Sequence, residues 1–201
     1  KILIEEFTGA SCVNCPDGKI KLDEVLTAYP DRTLAIGLHY GALGAPVNHS
    51  KQNPDFRTKA AEEIANKFGA NSMPSALIAR NEFNGERVIG RLSWKLKVEE
   101  ILNDPAKIKI SSKCTLDNIR NQYIYELEIE FLEDYLNEVN YTIALLEDDI
   151  IAEQKNGSAI IEDYNFEHVL RKTYTNALGN KLTFPKGNTK YEKGRIYKKQ
   201  I

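Results

Sequence analysis

The sequence predicts an α/β domain followed by an all-β domain. Three observations carry this. Apolar β-branched runs alternate with stretches of helical spacing as far as residue 104. From residue 105 onward, apolar residues recur at every second position, the pattern of half-buried antiparallel strands. Between the two, "NDPA" (103–106) breaks both patterns. The domains are therefore read as 1–104 and 105–201, and a chain of 201 residues has length enough for both.

The elements follow in order. "KILIEEF" (1–7) is apolar and β-branched enough for a buried strand. "TGAS" supplies a turn, and Cys12 falls where a helix should start; Leu22, Val25, Leu26 and Tyr29 then recur at helical spacing. Pro30 cannot continue that helix. "TLAIGLHY" (33–40) reads as a second buried strand, and 41–55 as a long Gly/Pro/Asn-rich loop of the kind that often carries function. A helix is expected from about Asp55 to Lys67, with Phe56 on its apolar stripe and Gly69 closing it. "SALIAR" and "ERVIGR" are short strands around the hairpin signal Asn84-Gly85. Trp94 to Leu102 reads as a helix.

In the second half, Ile108, Ile110, Cys114 and Leu116 share one parity. Tyr123, Tyr125, Leu127, Ile129 and Phe131 do the same, opposite a solvated row of Glu126, Glu128 and Glu130. Val139 to Leu145, "YNFEHVLRKTYT" and "KYEKGRIYKKQI" add strands, giving a unit of five or more, read as a sandwich. Cys114 and His168 fall on apolar parities and are expected to be interior.

Bulk properties exclude some functions. With 27 basic and 29 acidic side chains, the net charge of −2 gives no electrostatic reason to expect a nucleic-acid partner. No apolar run approaches the ~18 residues of a membrane helix.

The chemistry centres on "SCVNCP" (11–16). The spacing of Cys12 and Cys15 fits a redox dithiol, half of a zinc site, or a small structural disulfide. Zinc needs four ligands; Cys114 lies in the other half, and His39 and His49 have no tight ligand spacing. The order strand–helix–strand–loop–helix–strand–strand–helix is that of a thioredoxin-like domain, which favours the redox option. At the head of a helix the dipole and free N–H groups stabilise a thiolate, and the thiolate is the species that attacks disulfides. Cys12 is then the attacking thiol and Cys15 the resolving one. Two further positions fit. Pro74 in "NSMPS" precedes the third strand, and in thioredoxin folds that position is a cis-proline that faces the cysteine pair and leaves the backbone of the preceding residue, here Met73, free for a substrate strand. Glu6, six residues before Cys12, stands where thioredoxins place a buried acid that helps move the proton of the resolving cysteine, and a carboxylate in a central strand is expected to have a pKa raised by desolvation, whereas Glu5 points to the opposite face. His39 and Tyr40 end a strand where α/β folds place their sites, and are candidates for the rim.

"IEEFTGASCVNCP", "NSMPSALIAR" and "FEHVLR" together resemble the 28-kDa outer-membrane protein family, over nearly the whole chain. The resemblance implies a thioredoxin-like domain followed by an immunoglobulin-like β-sandwich domain. It also implies an extracytoplasmic place, in the periplasm or attached to the outer membrane of a Gram-negative bacterium through a lipid anchor upstream of Lys1. The expected activity is thiol–disulfide exchange with protein thiols and disulfides, by Cys12 and Cys15 with Glu6, Met73, Pro74, His39 and Tyr40 around them. No cofactor beyond that disulfide and no metal is expected. The alternative is a cell-surface binding or adhesion protein that uses the β half, with the first half as scaffold.

Overall fold

The computed structural model describes residues 1–47, 53–183 and 190–200. Its elements are β1 (Ile2–Thr8), α1 (Cys15–Ala28), β2 (Thr33–His39), α2 (Lys59–Phe68), β3 (Ser75–Ile78), β4 (Val88–Gly90) and α3 (Trp94–Ile101). There follow β5 (Ile108–Asp117), β6 (Gln122–Phe131), β7 (Asn140–Tyr141), β8 (Ala144–Glu147), β9 (Ile150–Asn156), β10 (Ala159–Phe166), β11 (Val169–Thr173), β12 (Asn180–Lys181) and β13 (Ile196–Gln200). The chain divides into two compact units, Lys1–Asn103 with Tyr141–Asn180, and Asp104–Asn140 with Lys181–Ile201.

The first unit is built on a six-stranded sheet in the order β4-β3-β1-β2-β11-β8. β1 runs parallel to β2 and antiparallel to β3, with Glu6 opposite Gly37 and Thr8 opposite His39. Alternation along β1 sends Ile2 and Ile4 to one face, where they pack with Leu22, Val25, Trp94 and Val98 of α1 and α3. It sends Phe7 to the other, where Leu38, Leu77, Ala61 and Ile64 receive it. Trp94 is fully buried and its indole N–H donates to the Ile89 carbonyl (2.9 Å), so the polar end is satisfied. α2 begins later than its apolar spacing predicts. Thr58 caps it, its hydroxyl accepting from the Ala61 N–H (3.1 Å), and Gly69 closes it in the left-handed conformation (φ 68°). Phe56 therefore lies before the helix, in a separate cluster with Ala10, Ala152, Phe166 and Val169. Thr58→Ala removes that cap and should cost about 1 kcal/mol, read as a lower urea midpoint at unchanged slope.

The second unit holds a three-stranded sheet, order β13-β6-β5, with β5 and β6 paired in one register from Ile108↔Phe131 to Asp117↔Gln122. Its buried end is aromatic: Phe131 and Tyr191 stack at 4.4 Å, and Tyr197 meets both edge-on.

This corrects the fold class read from the sequence, an α/β thioredoxin-like domain followed by an immunoglobulin-like sandwich. The structure is mostly β, 41% strand against 19% helix among the described residues, with three helices and several sheets. The division at 104/105 does not separate two consecutive domains either. β8 and β11 complete the first sheet, β11 lying parallel to β2 where the Gly37 N–H donates to the His168 carbonyl (2.7 Å). What remains of the second half is the three-stranded sheet β13-β6-β5 and the two-stranded pairs β10-β9 and β12-β7, rather than one sandwich. Cys114, expected inside, is exposed on the edge strand β5, as are Ile110 and Leu116. "YNFEHVLRKTYT" is two strands, not one. His168 sits in the turn between them at φ 58°, half-exposed, its N–H and imidazole Nδ1 both on Asp148 Oδ1 (2.6 and 3.2 Å).

Candidate functional site

The cysteine pair occupies the crossing from β1 to α1. Gly9 to Asn14 form turns, closed by Cys12 N–H to Gly9 carbonyl (3.0 Å) and Cys15 N–H to Cys12 carbonyl (3.3 Å). The helix starts at Cys15, not at Cys12, and Pro16 sits in its first turn where no N–H is needed. Cys12 and Cys15 are joined as a disulfide, with Cα atoms 5.4 Å apart. Each residue is only 2% exposed.

Two segments cover the pair. From residues 41–47, Leu43 accepts the Ser11 N–H (2.9 Å) and Pro46 the Ser11 hydroxyl (3.3 Å). A side chain on Gly9 would collide with the Leu43 carbonyl, so glycine is required for this approach. From the β9–β10 hairpin, the Lys155 N–H donates to Ala10 and the Gly157 N–H to Val13 (2.9 and 3.1 Å). Buried Gln154 Nε2 donates to the carbonyls of Gly9, Cys12 and Lys155 (3.2, 2.9 and 2.9 Å). Gln154 was not found from the sequence. Its signal was parity, since it falls in register with Ile150 and Ala152 on a strand that the alternation marks as buried on that side.

Beneath the first turn of α1 lie Pro74 and Glu6. The Met73–Pro74 bond is cis, as the sequence predicts. Gly18, also missed in the sequence, is what admits them. A Cβ there would stand 2.6 Å from Pro74 Cβ and 3.1 Å from Glu6 Oε1. Burial pushes the Glu6 carboxyl up to about 8; Lys19 and a hydrogen bond from Thr8 pull against this, and Asp23 adds to it. Lys19 is itself held between Asp23 (2.7 Å) and Glu167 (2.8 Å). Glu5 faces the other way, paired bidentately with Arg80 (both contacts 2.7 Å).

His39 and Tyr40 do not line a rim together, because adjacent strand residues face opposite ways. Tyr40 lies on the α2 side, its ring edge-on to Phe7 (5.7 Å) and its hydroxyl donating to Ala70 (3.0 Å). Met73 packs half-buried on that same side. His39 is buried on the α1 side between Phe56 and Phe166, with ring centroids at 5.1 and 5.7 Å. Burial drives its pKa down to about 3; Asp55 opposes this slightly and Arg171 adds to it. The structure thus places Glu6 and Pro74 under the helix that Cys15 opens and His39 on the same sheet face as Glu6, and leaves Tyr40 and Met73 on the other face. Among the described residues no three His, Cys, Asp or Glu side chains cluster as metal ligands. His49 and part of the 41–55 loop lie outside the described residues.

A β-rich protein with a covered disulfide at a helix head is the class that fold and site define. The chain belongs to the Omp28 outer membrane protein family, whose model matches residues 61–198. Membership places it with extracytoplasmic, outer-membrane proteins of Gram-negative bacteria. The match includes Pro74 and Gln154 and begins after the cysteine pair. Among the described residues no helix is long and apolar enough to cross a membrane. Two solved structures, both β-rich, share the fold. One is HBP35 of Porphyromonas gingivalis, with TM-score 0.65 and 14% identity, covering all of this chain and 63% of its own. The other is a structural-genomics target protein from Agrobacterium tumefaciens, with TM-score 0.57 and 13% identity, covering all of this chain and 77% of its own. No curated protein matches the chain.

Proposed function

We propose that the protein is an extracytoplasmic thiol–disulfide oxidoreductase acting on protein thiols and disulfides. One observation carries this reading: Cys15 opens the helix against whose first turn Pro74 and a buried Glu6 are packed, with Cys12 bonded to it. In the oxidised form described, a substrate thiolate attacks Cys12 Sγ and Cys15 leaves as the thiolate, taking the Glu6 proton. A second substrate thiolate then displaces Cys12 Sγ from the mixed disulfide. Two electrons pass from the substrate dithiol to the pair, and the substrate leaves as its disulfide. The reverse sequence reduces a substrate. Lipid anchoring upstream of Lys1, in the periplasm or at the outer membrane, belongs to the same proposal.

A second reading has its own observation. Cys12 is covered by two segments, as a structural disulfide would be, and the protein would then be a surface binding or adhesion protein using its β-rich second unit. Equilibration in graded thiol buffers, trapping by alkylation and weighing separates the two. A reversible transition between about −120 and −270 mV, the span of known exchange proteins, is expected. A pair that stays oxidised below about −300 mV overturns the oxidoreductase reading.

A further inference from the structure

Two buried polar atoms on the α1 face of the first sheet have no hydrogen-bond partner among the described residues: Glu6 Oε1 and His39 Nδ1. They stand on neighbouring central strands and on the same face. Glu6 is opposite Gly37 and His39 opposite Thr8, so the two are diagonal neighbours, with Gly37 and Thr8 at the other corners. Ala35, on the same parity of β2, fills its place with core contacts, whereas Gly37 has no side chain to fill the next one. A cavity of about 30 Å³ lies here, lined by Glu6, Thr8, His39 and Gln154, with Lys19 and Glu167 among its outer residues. That is room enough for a water molecule, and the polar groups on its wall suffice to hold one.

We propose that this cavity is a water-binding site joining Glu6 to His39, and that His39 is a positioning residue which holds the water against the Glu6 carboxyl. The protonated carboxyl donates its O–H to the water, and the water donates one of its own to His39 Nδ1. Both orphaned atoms are satisfied with no net charge buried. The ionisation states agree with this. Burial keeps the Glu6 proton on up to about pH 8 and keeps His39 neutral down to about 3, so donor and acceptor coexist between those limits. The groups facing Glu6 are Lys19 and Asp23 from α1, Thr8 on its own strand, Tyr164 from β10, and Glu167 and His168 after it. Those facing His39 are Asp55 and Arg171, with Phe56 and Phe166 against its ring.

The functional consequence rests on the oxidoreductase reading. When Cys15 takes the Glu6 proton, the carboxylate left behind recovers one from this water. The water is restored from solvent past Lys19, Asp23 and Glu167, so no proton is left unaccounted for.

The test uses the oxidised full chain with no thiol present, so a failed redox titration leaves it interpretable. Gly37→Ala crowds the site gently, because the new methyl meets the His168 and Glu167 carbonyls and Thr8 Cγ2, all of residues that line it, at 3.5–3.8 Å. His39→Phe removes the acceptor, and His39→Gln keeps one. Oxygen-17 relaxation dispersion counts long-lived internal waters, and the infrared band of the protonated carboxyl follows Glu6. The same water turns to donate to the carboxylate when Glu6 ionises, so Gly37→Ala and His39→Phe, by losing it, should each raise the Glu6 midpoint by at least about one pH unit, tenfold in its ionisation equilibrium, and lose one long-lived water. His39→Gln should retain the water. Unchanged relaxation in both Gly37→Ala and His39→Phe overturns the proposal. So does loss of the water with an unmoved Glu6 midpoint, since the water then does not touch the carboxyl.

Discussion

Stability will be level between pH 4.5 and 6.5 as far as Glu6 and His39 determine it, and will fall on either side. The two groups are shifted in opposite directions. Glu6 titrates at 4.5 unfolded and about 8 folded, so through that window the native state holds the extra proton and stability drops as pH rises. His39 titrates at 6.5 unfolded and about 3 folded, so there the unfolded state holds the extra proton and stability grows as pH rises. Each slope is roughly 1.4 kcal/mol per pH unit. They cancel where the windows overlap. From 6.5 to about 8 only Glu6 acts, and about 2 kcal/mol should be lost. Below 4.5 only His39 acts of the pair, and a similar loss follows by about pH 3. The variants make the assignment sharp, because each tilts the level stretch its own way. Glu6→Gln leaves the His39 slope alone, so stability rises across 4.5–6.5 and no longer falls from 6.5 to 8. His39→Phe leaves the Glu6 slope, so stability falls all the way from 4.5 to 8. Urea unfolding at closely spaced pH values reads both; a level stretch that neither variant tilts would show that these side chains are not buried as described.

Gly18→Ala should damage the protein, although alanine in a helix interior is ordinarily worth about 1 kcal/mol over glycine. The new methyl would stand 2.6 and 2.9 Å from Cβ and Cγ of Pro74, far inside contact distance. A proline ring has no rotamer with which to withdraw. Either α1 or the Pro74 segment must move, at an overpacking cost of roughly 1–3 kcal/mol that outweighs the propensity gain. The same movement separates Glu6 and Pro74 from the turn that Cys15 opens. The thiol–disulfide equilibrium should therefore shift about tenfold or more, near 30 mV for a two-electron couple. An alanine variant that unfolds later than the parent, with its equilibrium constant unchanged, would refute the close approach.

The alternation of apolar runs located β1, β2, β3, β4 and α3 to within a residue or two, because buried strands and an amphipathic helix must show it. The Cys12–Cys15 pair was legible from its spacing at a strand-to-helix turn, and the cis-proline and buried Glu6 only by analogy with the places that thioredoxins give such residues around that pair. The second half was harder to read. Strict alternation states that a strand has a buried face but not which sheet buries it, so β8 and β11 read like β5 and β6 though they complete a different sheet. The β9–β10 hairpin went unseen although Gly157-Ser158 is a two-residue turn signal as good as Asn84-Gly85. Phe56 looked helical by spacing alone; the cap at Thr58 overrode it. Cys114 looked interior because parity cannot tell an edge strand from a covered one.

The return of Tyr141–Asn180 to the first unit has a consequence in time as well as in space. A growing chain that has reached Asn103 already holds both cysteines, only three residues apart, and every helix among the described residues. The groups that will bond the carbonyls of Gly9, Ala10, Cys12 and Val13 are still some fifty residues from being synthesised. Contacts of such long sequence separation form late. The pair is thus laid down with only the 41–47 segment available to cover it and is roofed by the hairpin afterwards, so its sulfurs meet their surroundings most freely while the protein is young.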